Sequence, residues 1–301
     1  MGKHLHIDPF AGIAGDMFLA ACLDLGVELG AIEAALKPLP TTRPWRITVG
    51  RTSRHAIAAN DLRVEVGGII TDLSAAKKQS PPRAIGHSHD HDHSHDHGHE
   101  HDHSHDHGSS GVGGGIGHAH HHPDHCGYRQ ILGMIDVMKT PERARERARK
   151  IVTILGQAEA AVHGVPIDVV HFHEVGAIDS IIDMLGAAVA LELLDVQTIS
   201  SGALPIGQGF VMCDHGRMPL PAPATAMILR DVPSFGVEWK GETVTPTGAA
   251  IIAALATEFG PQPMMKIRKI GYGAGRRDPA EVPNLMRLML GERVSMDRPM
   301  A

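Results

Sequence analysis

Residues 4–27 read HLHIDPFAGIAGDMFLAACLDLGV. HLHI alternates like a short strand. DPFAGIAGD is a glycine-rich loop, and DMFLAACLDLGV is apolar almost all round, the pattern of a buried helix beginning near Asp16. A strand that hands over to a buried helix through a loop implies a sheet with helices layered on it.

The rest of the chain extends this reading in both element types. A second helix is expected over about residues 28–36, stopped by Pro38 and Pro40, and WRITVGRTSRHAIAANDLRVEV reads as two strands around a turn. PERARERARKIVTILGQAEAAVHG places Pro141 at a helix start, with an apolar stripe of Ala144, Ala148, Ile151, Leu155, Ala158 and Val162. A further helix is expected over about 177–194, then alternating short strands and turns in TISSGALPIGQGFVMCDHGRMPLP, and a helix near 224–230. VTPTGAAIIAALATEFG predicts a strand end, a cap at Thr247 and a helix; MMKIRKIGYGAG and NLMRLML predict two last strands. The fold class is α/β or α+β, a single sheet with flanking helices. Residues 1–77 and 127–301 form one composite domain, interrupted by a disordered His-rich insert over 78–126 in a surface connection.

Composition narrows the function classes. The 301 residues carry a net charge of −6, and residues 87–107 alone hold six acids and no Lys or Arg. The remainder balances 28 acids against 28 bases, so nothing suggests a nucleic-acid or anionic-membrane partner. Cys22, Cys126 and Cys213 form no CxxC pair, which suits a reducing compartment. MGKHLHIDPF has no long apolar run, so a cytoplasmic location is expected.

The insert is a metal store by composition. His87, His89, His91, His93, His95, His97, His99, His101, His103, His105 and His107 stand at every second position among acids, serines and glycines. Imidazole suits Ni, Zn and Cu, and a flexible run can wrap an ion in many registers. A terminal homopolymeric tag looks different, and a spacer that binds metal only in vitro is the bland alternative. Loading should collapse between about pH 7 and pH 5.5 as the rings protonate near ~6.5. Equilibrium dialysis against nickel across that range tests this; loading insensitive to pH would contradict a histidine store.

HFHEVGAIDSIIDMLGAA, residues 171–188, is the sharpest constellation in the body. If the chain is extended there, His171 and His173 share a side about 7 Å apart, with Glu174 opposite unless the chain turns. Asp179 and Asp183 are i, i+4 and share a helix face. Together they resemble a metal or acid–base cluster; the bland reading has Asp179 cap the helix and Asp183 make a core hydrogen bond. In DPFAGIAGD, Asp8 sits at a strand end, Gly12 and Gly15 allow backbone N–H groups to approach an anion, and Asp16 is the expected N-cap. Cys213, His215 and Arg217 alternate along an extended run and could serve a metal and an anion together, although a free Cys is more often simply buried. TPTG and GYGAGRR suit phosphate contacts, or equally a cap and a turn.

Taken in order, DPFAGIAGDMFLAACLDLG, HFHEVGAIDSIID, GFVMCDHGRMPLPAPAT, VTPTGAAI and GYGAG…PNLMRLMLGE resemble the segments of LarC-type nickel insertion proteins. The resemblance implies a nickel chelatase or insertase of the lyase class. Its reaction is CTP-dependent insertion of nickel into pyridinium-3,5-bisthiocarboxylic acid mononucleotide, with Mn or Mg, for lactate racemase-type acceptor enzymes. On that reading His171, His173, Glu174 and His215 are metal residues. Asp179, Asp183 and Glu174 are catalytic, and Asp8, Gly12, Gly15, Asp16, Arg217 and Thr247 hold the nucleotide or a counter-metal. Longer members continue past LMLGE into a CTP-associated domain, whereas this sequence closes with RVSMDRPMA. That domain is then a separate polypeptide, one reached by frameshifting, or absent. The alternative is a nickel or zinc storage and delivery protein; a metal-dependent hydrolase is a more distant one.

Overall fold

The computed structural model describes residues 2–70, 126–172 and 175–294. The His-rich run, and with it the expected insert apart from Cys126, lies outside the described residues, as do His173 and Glu174.

The main sheet has eight strands in the order β10-β5-β1-β12-β11-β3-β2, with β4 added on β3. The strands are β1 (Lys3–Asp8), β2 (Trp45–Arg54), β3 (Ile57–Val66), β4 (Ile69–Ile70), β5 (Val196–Ser201), β10 (Glu258–Phe259), β11 (Met265–Ala274) and β12 (Leu285–Arg293). β1 runs parallel to β5 and antiparallel to β12, with Leu5 opposite Ile199 and Leu290. The sheet is therefore mixed, with parallel and antiparallel neighbours. Two small ribbons stand apart from it: β6 (Leu204–Gln208) with β9 (Ser234–Lys240), and β7 (Phe210–Cys213) with β8 (Gly216–Pro219).

Among the described residues the helices are α1 (Gly15–Asp24), α2 (Leu29–Leu36), α3 (Tyr128–Asp136), α4 (Glu142–His163), α5 (Ile178–Leu193), α6 (Pro223–Ile228) and α7 (Pro246–Leu255). α1 and α5 form the centre of the core: every residue from Ile178 to Leu191 of α5 is buried except Ser180, including Asp179 and Asp183. α1 lies on β11 and β3 and against α5. A Cβ on Gly273 of β11 would overlap the Met17 carbonyl, so glycine there lets the helix backbone rest directly on the strand.

Local chemistry explains the departures from expectation. α4 follows its stripe, but Val162 is 41% exposed because the stripe has run past the core by the last turn. Pro141 is the N-cap of α4, one position before the first helical residue. The run through Cys213, His215 and Arg217 is not extended throughout. It folds back at Asp214–His215, pairing Cys213 with Gly216 and Met212 with Arg217, with Gly216 at φ 89°. His4 and His6 of β1 are buried and satisfied by Ser200 and Thr198 of β5, at 2.8–2.9 Å.

Candidate functional site

The N-terminal ends of α1, α5 and α7 meet at a cavity of about 480 Å³. Each end presents N–H groups and the positive pole of its helix, so their convergence favours negative charge. The cavity lining places Asp16, Asp179 and Asp183 together with Arg276 and Asn284, and β7 contributes Phe210, Val211 and Met212.

Asp179 and Asp183 are 5% and 9% exposed. Asp16 Oδ1 accepts from the Met17 N–H at 2.8 Å, and its Oδ2 lies 3.3 Å from Arg276 Nε. Asp179 Oδ1 accepts from the Ser180 N–H at 2.8 Å. Asp183 stands one turn deeper, and its buried Oδ1 has no hydrogen-bond partner within the protein. Gly15 makes this closeness possible, because a Cβ there would stand 2.9 Å from Asp183 Cβ and 3.2 Å from Thr247 Oγ1.

Burial, followed by the Asp16 and Asp179 carboxylates, raises the Asp183 pKa well above the ordinary carboxylate range, with Arg276 opposing. Burial also raises Asp16; Arg276 and the Met17 N–H oppose it, while Asp61 and Asp179 add to it. A carboxyl whose pKa is raised by burial and by neighbouring carboxylates holds its proton more tightly than a free one, which suits it to proton transfer. Such a buried oxygen also gains most from an arriving cation.

Other expected site residues stand elsewhere or in different roles. Asp16 is not the N-cap of α1; that position is Ala14, in extended conformation, and Asp16 sits in the first turn. α7 is capped by Thr245, whose hydroxyl accepts from the Gly248 N–H at 3.2 Å. Thr247 instead accepts from the Gly15 N–H at 3.3 Å, tying α7 to α1. Gly12 adopts φ 111°, and its N–H donates to the Pro9 carbonyl at 2.8 Å rather than facing the cavity. Asp8 is held on the neighbouring strand by Arg287, whose Nε donates to it at 3.0 Å.

His171 is exposed and pairs by its backbone with Gly127, while the next residue, Phe172, is fully buried. Val175, just beyond the undescribed His173 and Glu174, lines the cavity. Arg217 stacks over Phe210, 4.0 Å from guanidinium carbon to ring centroid. It lines an adjoining recess of about 490 Å³ that shares Phe210, Val211 and Met212 with the main cavity. His215 meets His163 of α4 instead. Burial, then His215, lowers the His163 pKa. Among the described residues no three His, Cys, Asp or Glu side chains are gathered as a ready-made metal cluster.

Arg276, Asn284 and Phe210 are cavity residues that no spacing argument singled out. The RR after GYGAG was a signal for the arginine, although residues 271–274 are the end of strand β11 and not the expected turn, and the arginines that follow them line the cavity.

The model of one protein family, described as nickel insertion protein, matches residues 5–300. The chain belongs to the nickel insertion protein family. It is 42% identical over 291 residues to a candidate nickel insertion protein of Geobacter metallireducens, covering 96% of this chain and 61% of that protein. Identity is 40% over 291 residues to its counterpart in Geobacter sulfurreducens, covering 96% and 61%. It is 39% over 292 residues to that of Myxococcus xanthus, covering 97% and 61%. This family member thus spans about three-fifths of the length of the curated relatives it matches. No solved structure matches the chain. Among the described residues no helix is long and apolar enough to cross a membrane.

Proposed function

We propose that this chain supplies the insertion site at which nickel enters pyridinium-3,5-bisthiocarboxylic acid mononucleotide, forming the nickel-pincer nucleotide of lactate racemase-type enzymes. The observation that carries the proposal is the unpartnered Asp183 Oδ1, buried beside Asp16 and Asp179 in a cavity ringed by three helix N-termini. Family membership supplies nickel as the metal handled.

In this reading nickel is the substrate. Carboxylate oxygens hold it weakly enough that softer thiocarboxylate sulfur can take it over. The ring C–H bond then breaks: its electron pair forms the Ni–C bond, and its proton passes to the Asp183 carboxylate. No electron is gained or lost overall. The helix ends, Arg276 and the adjoining Arg217 recess suit the nucleotide's phosphate. In the same proposal His171, His173 and Glu174 present the nickel.

Mn or Mg with CTP belongs to the same proposal. Hard divalent ions take oxygen ligands, and Asp16, Asp179 and Asp183 offer only oxygen, so the donor set fits. Such an ion would neutralise phosphate charge. In this proposal a CTP-associated C-terminal segment, which the resemblance to LarC-type proteins implies, completes the working enzyme.

Mass spectrometry of the nucleotide tests it. The chain is incubated with nickel, the nucleotide, CTP, Mg and the C-terminal segment of a longer relative. A species that has gained nickel and lost the ring proton is expected, and Asp179→Asn should not form it. Nickel binding without any metallated nucleotide would favour storage and delivery instead.

A further inference from the structure

We propose that His163 and His215 form a second metal site for a divalent transition ion such as nickel, separate from the carboxylate cavity. The two rings come from different elements, the last residue of α4 and the turn between β7 and β8. Their centroids are 5.0 Å apart with planes tilted by 43°. Two imidazoles bound to one ion at about 2.1 Å, with a bond angle between square and tetrahedral, put their centroids about 5 Å apart. The observed pair already has that spacing.

Glu159, one turn back on α4, places Oε2 3.5 Å from His163 Nε2. The carboxylate puts negative charge beside the pair of rings, which favours an arriving cation. With two protein ligands and water completing the shell, such a site exchanges its ion readily, which suits transfer rather than storage. His215 is exposed, so an ion can arrive from solvent.

The position in the fold gives the site its use. Val211 and Met212 line the carboxylate cavity, and His215 follows three residues after Met212 on the same hairpin. Three residues span at most about 10 Å. The hairpin therefore carries a metal-binding tip next to the cavity wall, and we assign to it the hand-over of nickel toward the carboxylates. Metal binding at the tip does not depend on which nucleotide occupies the cavity, so it fails or stands apart from the proposed reaction.

Crystals of the full chain soaked in nickel chloride, measured on both sides of the nickel absorption edge, test the site. An anomalous peak within about 2.3 Å of one nitrogen from each ring is expected. It should vanish in His215→Ala, an exposed turn position whose loss leaves the core intact. No peak between the rings at saturating nickel would overturn the proposal, and so would a peak that persists in His215→Ala.

Discussion

Asp183→Asn is expected to abolish nickel insertion and to raise the melting temperature at neutral pH. Loss of a positioned proton acceptor costs about 10²–10⁴ in rate, so turnover should fall at least about 100-fold. The stability gain follows from linkage. The folded pKa of Asp183 lies well above its ordinary value of 3.8, because of burial first and the neighbouring carboxylates second. A raised pKa means that the group's favourable contribution is complete below about 3.8 and is lost as pH rises through the folded pKa. Keeping a carboxyl at this position therefore costs stability at neutral pH, and the isosteric amide removes that cost while offering a donor to Asp16 or Asp179. The expected gain is at least about 2 °C at pH 7.5, shrinking to nothing near pH 4. Melting curves at both values measure it. A variant less stable at neutral pH would make Asp183 a structural hydrogen-bonding group.

Gly12→Ala should be the most damaging small substitution in the site's framework. At φ 111° an L side chain is strained, and the added Cβ would overlap the Thr243 carbonyl. Strain of about 1–2 kcal/mol and overpacking of about 1–3 kcal/mol combine to about 2–5 kcal/mol. The melting temperature should fall by roughly 5–15 °C. The loop from Pro9 to Ala14 is stitched to the segment before α7 by the Ile13 N–H donating to Thr243 and the Thr245 N–H donating to Ile13. Both segments wall the cavity, so nickel insertion should fall with stability. A melting temperature within about 1 °C of the unmodified chain would show that the two loops yield freely.

Periodicity carried most of the architecture. The strand–loop–helix opening, the β2–β3 pair, the stripe of α4 and the mostly buried α5 were legible because burial imposes a spacing on the sequence. The i, i+4 pair Asp179 and Asp183 was legible for the same reason. Features set by other parts of the chain were not. Arg276 reaches Asp16 across 260 positions, and His4 finds Thr198 across 194. No local pattern encodes either contact.

Two misreadings were avoidable. In TPTG, proline at the first helical position makes the preceding Thr245 the cap, not Thr247. In CDHGR, the glycine after Asp-His marks a turn, so the alternation of Cys213, His215 and Arg217 bends back on itself.

In the proposed reading the body of the chain, and not the histidine run, carries insertion. Removing residues 87–107 and following a single turnover with nickel in excess, the C-terminal segment supplied, isolates that claim. Because a run without apolar periodicity adds nothing to the core, the deletion should leave the melting curve unchanged. The metallated nucleotide should still form at a rate within about threefold of the unmodified chain. A deletion variant that melts normally yet yields no metallated nucleotide at any nickel concentration would contradict the account and assign the function to the histidine store.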